Sequence, residues 1–156
     1  MTIFDKFNLK GRTAIVTGGG GQLGTEFCKT LAEAGASVVV ADLLMEHATR
    51  SNKLLADAGF SSMAAQLDIT SADSIARTVS ETLKKFGSID ILVNCAAMDP
   101  KFDPDAAARG ITPGSFEDYP LDQWNAALNV NLTGMFLITQ ACVKQMVAQG
   151  KKGSII

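Results

Sequence analysis

Histidine occurs once in the 156 residues, as His47, and that scarcity excludes a His-clustered metal site. Cysteine is little used. Cys28, Cys95 and Cys142 stand far apart in apolar surroundings, which predicts buried reduced thiols rather than a disulfide or a metal site. An excess of one charge is also missing: 14 Lys and Arg against 16 Asp and Glu leave a net charge of −2. That balance offers no general attraction for nucleic acid or an anionic membrane surface. The opening Met1–Phe7 has no basic region leading into an apolar core, and no later stretch reads as a membrane span. A cytoplasmic protein is expected.

What is present is enough apolar material for one core. With 47% hydrophobic and 19% charged residues, a single compact domain over 1–156 is expected, and disorder is not. The stretch Ala14 to Gly24 organises it: an apolar run opens into glycines and a helical pattern follows. Such a strand–turn–helix junction suits a pyrophosphate, whose charges meet unpaired N–H groups and the positive end of the helix dipole. Gly19, Gly21 and Gly24 satisfy G-x-G-x-x-G. Eighteen residues beyond Gly24 a second apolar run, Ser37 to Ala41, ends in Asp42. A parallel strand there would deliver a carboxylate to the ribose hydroxyls of a bound adenosine. The alternative is that Asp42 caps the turn that follows.

In chain order, Phe4, Phe7 and Leu9 are expected to pack beside a first strand, Thr13 to Thr17. A helix follows from Gln22 to Ala34 with Leu23, Phe27, Thr30, Leu31 and Ala34 on one face, and Gly35 stops it. After Asp42 a weaker helix covers Met45 to Ala58 through Ala48, Leu54, Leu55 and Ala58. Ser61 to Leu67 reads as a third strand, and Thr70 or Ser71 can cap a helix carrying Ile75, Val79, Leu83 and Phe86. Ile89 to Val93 is the fourth strand, apolar apart from Asp90 as a strand covered on both faces should be. This alternation predicts an α/β fold: a Rossmann-type, doubly wound parallel sheet in three α/β/α layers.

All four prolines lie between Met98 and Pro120, an excursion that is either a substrate-facing wall or a solvated insertion. A helix of roughly 40 Å then runs from Leu121 to Gln149. It is apolar on most of its circumference, which one sheet cannot cover, so a subunit interface and a homo-oligomer are expected. Asn125, Asn129 and Asn131 are poor residues for its interior.

Together these residues reach a family. Thr17-Gly18-Gly19-Gly20-Gly21-Gln22-Leu23-Gly24 resembles the T-G-x-x-x-G-x-G fingerprint of the short-chain dehydrogenase/reductase family, with Gln22 in place of the middle glycine. Asp68-Ile69 looks like its adenine-site dipeptide. Asn94-Cys95-Ala96-Ala97 stands where the family has N-N-A-G, and Asn129 to Gly134 is similar to its N-x-T-G helix motif.

The resemblance implies hydride transfer between a nicotinamide and an alcohol or ketone, a small-molecule substrate. It places Gly18, Gly20, Gly21, Gln22, Leu23, Gly24, Asp42, Leu43, Asp68, Ile69, Asn94 and Ala96 at the cofactor. Of the catalytic set it implies only Asn131, as a helix-kinking residue that holds a water in a proton relay; the alternative is a structural amide. The family's serine and Tyr-x-x-x-Lys pair lie beyond a fifth strand that has only begun at Gly153 to Ile156. Tyr119, the only tyrosine, has Gln123 four residues on. The chain is therefore expected to be the cofactor-binding part of an oxidoreductase, inactive as given; a non-catalytic dinucleotide-binding module is the alternative. NAD is expected over NADP, because Asp42 repels a 2′-phosphate and neither the glycine turn nor Leu43 and Leu44 supplies a cation.

Overall fold

The computed structural model describes residues 6–98, 117 and 119–156. Five parallel strands form one sheet: β1 (Thr13–Thr17), β2 (Ser37–Asp42), β3 (Ser62–Gln66), β4 (Ile91–Asn94) and β5 (Ser154–Ile155). Their order across the sheet is β3-β2-β1-β4-β5. β1 is thus central. Val16 stands between Val40 of β2 and Val93 of β4, and every residue of β1 is buried.

The helices are α1 (Gln22–Glu33), α2 (Met45–Asp57), α3 (Ala72–Phe86), α4 (Leu121–Leu128) and α5 (Met135–Ala148). Alternate strand residues feed two cores, as the pleat dictates. Ala14, Val16, Val38, Val40, Ile91 and Val93 meet Cys28 and Ala32 of α1 and Ala48 and Leu55 of α2. On the other face Ile15, Val39, Ala41 and Leu92 meet Ile75 of α3 and Ile138, Cys142 and Met146 of α5. The expected three-layer doubly wound sheet is the one observed.

The buried faces of two helices differ from expectation. α1 turns Gly24, Cys28 and Ala32 inward, while Leu23 is 68% and Phe27 43% exposed. Small residues let the helix axis come close to the sheet, and closeness outweighs the area a leucine would bury. In α2 the buried residues are Ala48, Ser51 and Leu55, with Leu54 outward. Phe7 also faces solvent, Leu9 packs on the core, and Phe4 lies outside the described residues.

α3 follows the sequence closely. The Ser71 hydroxyl caps it by accepting from the Ser74 N–H, Asp73 sits in its first turn, and Lys84 and Lys85 sit in its last, complementing the helix dipole. Gly87 ends it at φ +81°, a left-handed conformation that glycine adopts without a Cβ penalty.

The long helix is not one uniform α-helix. Between α4 and α5 the segment Asn129–Gly134 winds as a π-helix, so Asn129 and Asn131 are not in an α-helix interior, while Asn125 lies exposed in α4. The run Leu121–Ala148 is also long and apolar enough by composition to cross a bilayer, contrary to the sequence reading. Here it is a layer of the domain, because Ile138, Cys142 and Met146 are buried against the sheet. Two side-chain amides fasten it across β4. Asn131 bonds both backbone groups of Met98, and Gln149 bonds both backbone groups of Ile89.

At the opposite end of the sheet from the glycine turn, the buried Asp90 carboxylate accepts from Ser88 Oγ (2.7 Å), the Thr13 N–H (3.0 Å) and Arg12 (3.0 Å). Burial pushes this carboxyl up. The three donors and the Arg12 charge outweigh burial and hold its pKa below the ordinary value.

Candidate functional site

The site begins where β1 ends. Gly18 turns at φ +64°, the Gly21 N–H donates to the Gly18 carbonyl (3.0 Å), and the Gly19 N–H donates to Ala41 O at the end of β2 (2.9 Å). α1 starts at Gly21 with no side chain capping it, so its first N–H groups are free for an anion. Two glycines are required by packing. A Cβ on Gly24 would overlap the Gly18 carbonyl oxygen, and one on Gly20 would collide with the Cβ of His47.

The turn opens onto a cleft of about 580 Å³ beside the carboxyl ends of β1, β2 and β4. Gly18 and Gly21 form its floor, Asp42 and Leu43 one end, Asp68, Ile69 and Thr70 a second wall, and Cys95 to Met98 with Val130 the third. An open α/β sheet holds ligands at this place. Asp42 is held rigidly: Oδ2 accepts from the Gly20 N–H (3.0 Å) and Oδ1 from the Leu44 N–H (3.1 Å). It therefore does cap the following turn, and each oxygen keeps a further lone pair for a ligand hydroxyl. Asp68 Oδ1 is engaged by the Thr70 N–H and hydroxyl at 2.8 and 2.6 Å. Thr17 ties β1 to the third wall, its hydroxyl accepting from the N–H groups of Cys95 and Ala96, both at 3.1 Å.

Of the residues named from sequence, Gly18, Gly21, Asp42, Leu43, Asp68, Ile69 and Ala96 line one cleft. Gly20, Gln22, Leu23, Gly24, Asn94 and Asn131 stand outside its lining. Gly24 packs under the turn, Gly20 faces α2, Leu23 faces solvent, and the Asn94 amide donates to Thr139 and to Ile156 O. Asn131 stands behind the third wall. Its Oδ1 accepts from the Met98 N–H (2.7 Å), and its Nδ2 donates to Met98 O (3.0 Å). Gly134, in the same π-helical segment, is as close to Ile69 as a residue without Cβ permits.

Sequence reasoning passed over Leu67, Thr70, Ala97, Met98 and Val130, which also line the cleft. Thr70 had a signal, since a threonine two residues after an aspartate suits a local side-chain turn. Cys28 and Cys142 are buried as expected, and burial pushes both thiols up to about 12. Cys95 is only half-buried and borders the cleft. A cation from outside the glycine turn and the β2 end approaches this region: Arg50 of α2 places Nη2 3.3 Å from the Gly20 carbonyl. The excursion from residue 99 to 116 lies outside the described residues.

The residues fit a dinucleotide. Glycines leave room for a pyrophosphate, a free helix N-terminus faces it, and a fixed carboxylate stands at the far corner. Comparison with known proteins agrees. The family described as short chain dehydrogenase matches residues 12–156. The short chain dehydrogenase/reductase astE of Aspergillus oryzae is 35% identical over 152 residues, covering 97% of this chain and 54% of that protein. Among solved structures, an NAD+-bound xylitol dehydrogenase superposes with a TM-score of 0.81 at 29% identity, covering 94% of this chain and 52% of that one. A gluconate 5-dehydrogenase from Burkholderia cenocepacia, in complex with NADP and tartrate, gives 0.81 at 32% identity, covering 99% and 55%. The chain spans about half the length of the curated relatives it matches.

Proposed function

The chain belongs to the short-chain dehydrogenase/reductase family, and on that premise we propose that it is the cofactor-binding part of an NAD-preferring oxidoreductase acting on an alcohol or ketone. The carrying observation is Asp42, a carboxylate pinned at one end of the cleft by the N–H groups of Gly20 and Leu44. A carboxylate so fixed accepts from ribose hydroxyls and cannot turn away from a 2′-phosphate.

The nicotinamide, when bound, supplies hydride transfer at its C4. The chain's residues bind and orient it. Gly18, Gly21 and the first N–H groups of α1, from Gln22 to Gly24, hold the pyrophosphate; Asp42 and Leu43 hold the adenosine ribose; Asp68 and Ile69 border the adenine; and Ala96 lines the opposite wall, with Asn94 behind it bonded to Thr139 and Ile156. Asn131, with its amide committed to Met98, fixes the π-helical turn next to the cleft, where the family resemblance calls for a relay water.

The serine and Tyr-x-x-x-Lys pair of the family are not matched among these residues, so the 156-residue chain is expected to bind cofactor without turnover. The protein acts in the cytoplasm and self-associates through the outward face of Leu121–Ala148, where Trp124, Leu132, Phe136 and Val147 are exposed. The test is titration with NAD and NADP at equal ionic strength. Tighter NAD binding supports the reading; tighter NADP binding, or an Asp42→Ala variant with unchanged preference, contradicts it.

A further inference from the structure

We infer that Arg50 is a second determinant of cofactor choice, offering the 2′-phosphate of NADP a cation at the corner that Asp42 occupies, so that the chain prefers NAD yet still accepts NADP. This rests on the dinucleotide reading above. Gly20 links the two side chains. Its N–H donates to Asp42 Oδ2 at 3.0 Å, and its carbonyl accepts from Arg50 Nη2 at 3.3 Å. Carboxylate and guanidinium therefore hold the two backbone groups of the same glycine.

The packing explains why the cation comes from α2. A basic side chain cannot stand at Gly20, because His47 already fills the space where its Cβ would be. Arg50 is three residues beyond His47, on the same helix face, and so reaches the carbonyl of the glycine that His47 covers. The lining of the cleft contains no Lys or Arg, and Arg50 approaches this corner through the Gly20 carbonyl.

The charges compete in a defined way. Asp42 is locked by two backbone donors, so its repulsion of a phosphate is constant. Arg50 is solvent-exposed and spends one donor on Gly20, keeping others in the planar fork that suits phosphate oxygens. The other charged or titratable groups at this corner are His47, with Nδ1 3.9 Å from Asp42, and Glu46, whose carboxylate lies 3.7 Å from His47 Nε2 and is turned to solvent. A guanidinium beside Gly20 acts on a bound 2′-phosphate with the opposite sign to Asp42, so Arg50 offsets part of the Asp42 repulsion.

Calorimetric titration of the chain, Arg50→Gln and Arg50→Lys with NAD and with NADP, at low and high salt, tests this. Arg50→Gln is expected to leave NAD affinity within about twofold and to weaken NADP about tenfold, with loss of most of the salt dependence of NADP binding. Arg50→Lys should recover much of the NADP affinity. Equal weakening of both cofactors by Arg50→Gln, an unchanged NAD-to-NADP ratio, or a lysine variant no better than glutamine overturns the inference while the dinucleotide reading stands. A chain that binds neither cofactor overturns both.

Discussion

Asn131 and Met98 exchange two hydrogen bonds: the side-chain amide accepts from the Met98 N–H and donates to its carbonyl, at 2.7 and 3.0 Å. Gln149 does the same to Ile89 at 2.9 and 3.0 Å. The two pairs bracket β4, so the long helix is held at two points eighteen residues apart. One of them adjoins the cleft. Asn131→Ala should cost about 1–3 kcal/mol, and Asn131→Asp at least as much, because it sets a carboxylate oxygen against the Met98 carbonyl. Denaturant unfolding and hydrogen exchange check this. The Met98 amide should lose protection in both variants, and retained protection would contradict the assignment.

The glycines of the turn should separate into two kinds. Gly24→Ala puts a Cβ into the Gly18 carbonyl and should destabilise at the upper end of about 1–3 kcal/mol or beyond. At Gly21 the nearest atom to an added Cβ is 3.3 Å away, and the residue lines the cleft. Gly21→Ala should therefore fold nearly normally and lose NAD affinity by roughly tenfold, through blocked backbone approach. Melting curves alongside ligand titration decide it. Equal stability loss in both variants would defeat the distinction.

How much of this was legible follows the same division. The strand, glycine turn and helix, and the carboxylate at the end of β2, were readable because local pattern and local chemistry coincide there. The inward faces of α1 and α2 were not, because their outward Leu23, Phe27 and Leu54 make the larger apolar signal while Gly24, Cys28 and Ala32 do the packing. Arg50 escaped notice for another reason. It lies thirty residues from Gly20, and only the folding of α2 onto the glycine turn brings them together. The Gln149 pair with Ile89 is likewise a product of tertiary packing.

Asp90 predicts the acid limb of stability. Its pKa is lower folded than unfolded, so its contribution is present above the ordinary value of 3.8 and is lost as pH falls through the lowered folded value. Asp90→Asn should be less stable than the parent at neutral pH, and the gap should narrow on acidification. Urea midpoints of both proteins from pH 7 down to pH 3 (about) test the sign. A constant gap would show that the charge contributes nothing.

Self-association should depend on the outer face of α5. Phe136 and Val147 are 59% and 74% exposed there, beside a shallow apolar groove of about 430 Å³. Exposed apolar faces of this kind favour association. Phe136→Glu with Val147→Asp should shift the protein toward monomer in size-exclusion chromatography with light scattering. A parent protein that is already monomeric, or an oligomer left unchanged by the double substitution, would contradict self-association through this face.

Amide chemical-shift mapping during an NAD titration shows whether the cleft over the glycine turn binds a dinucleotide. Saturable shifts are expected at Gly18, Gly21, Gln22, Leu23, Asp42, Leu43, Asp68, Ile69 and Ala96, with the largest at the start of α1 where the pyrophosphate meets free N–H groups. Saturable shifts centred anywhere else, or none at millimolar NAD, would contradict it.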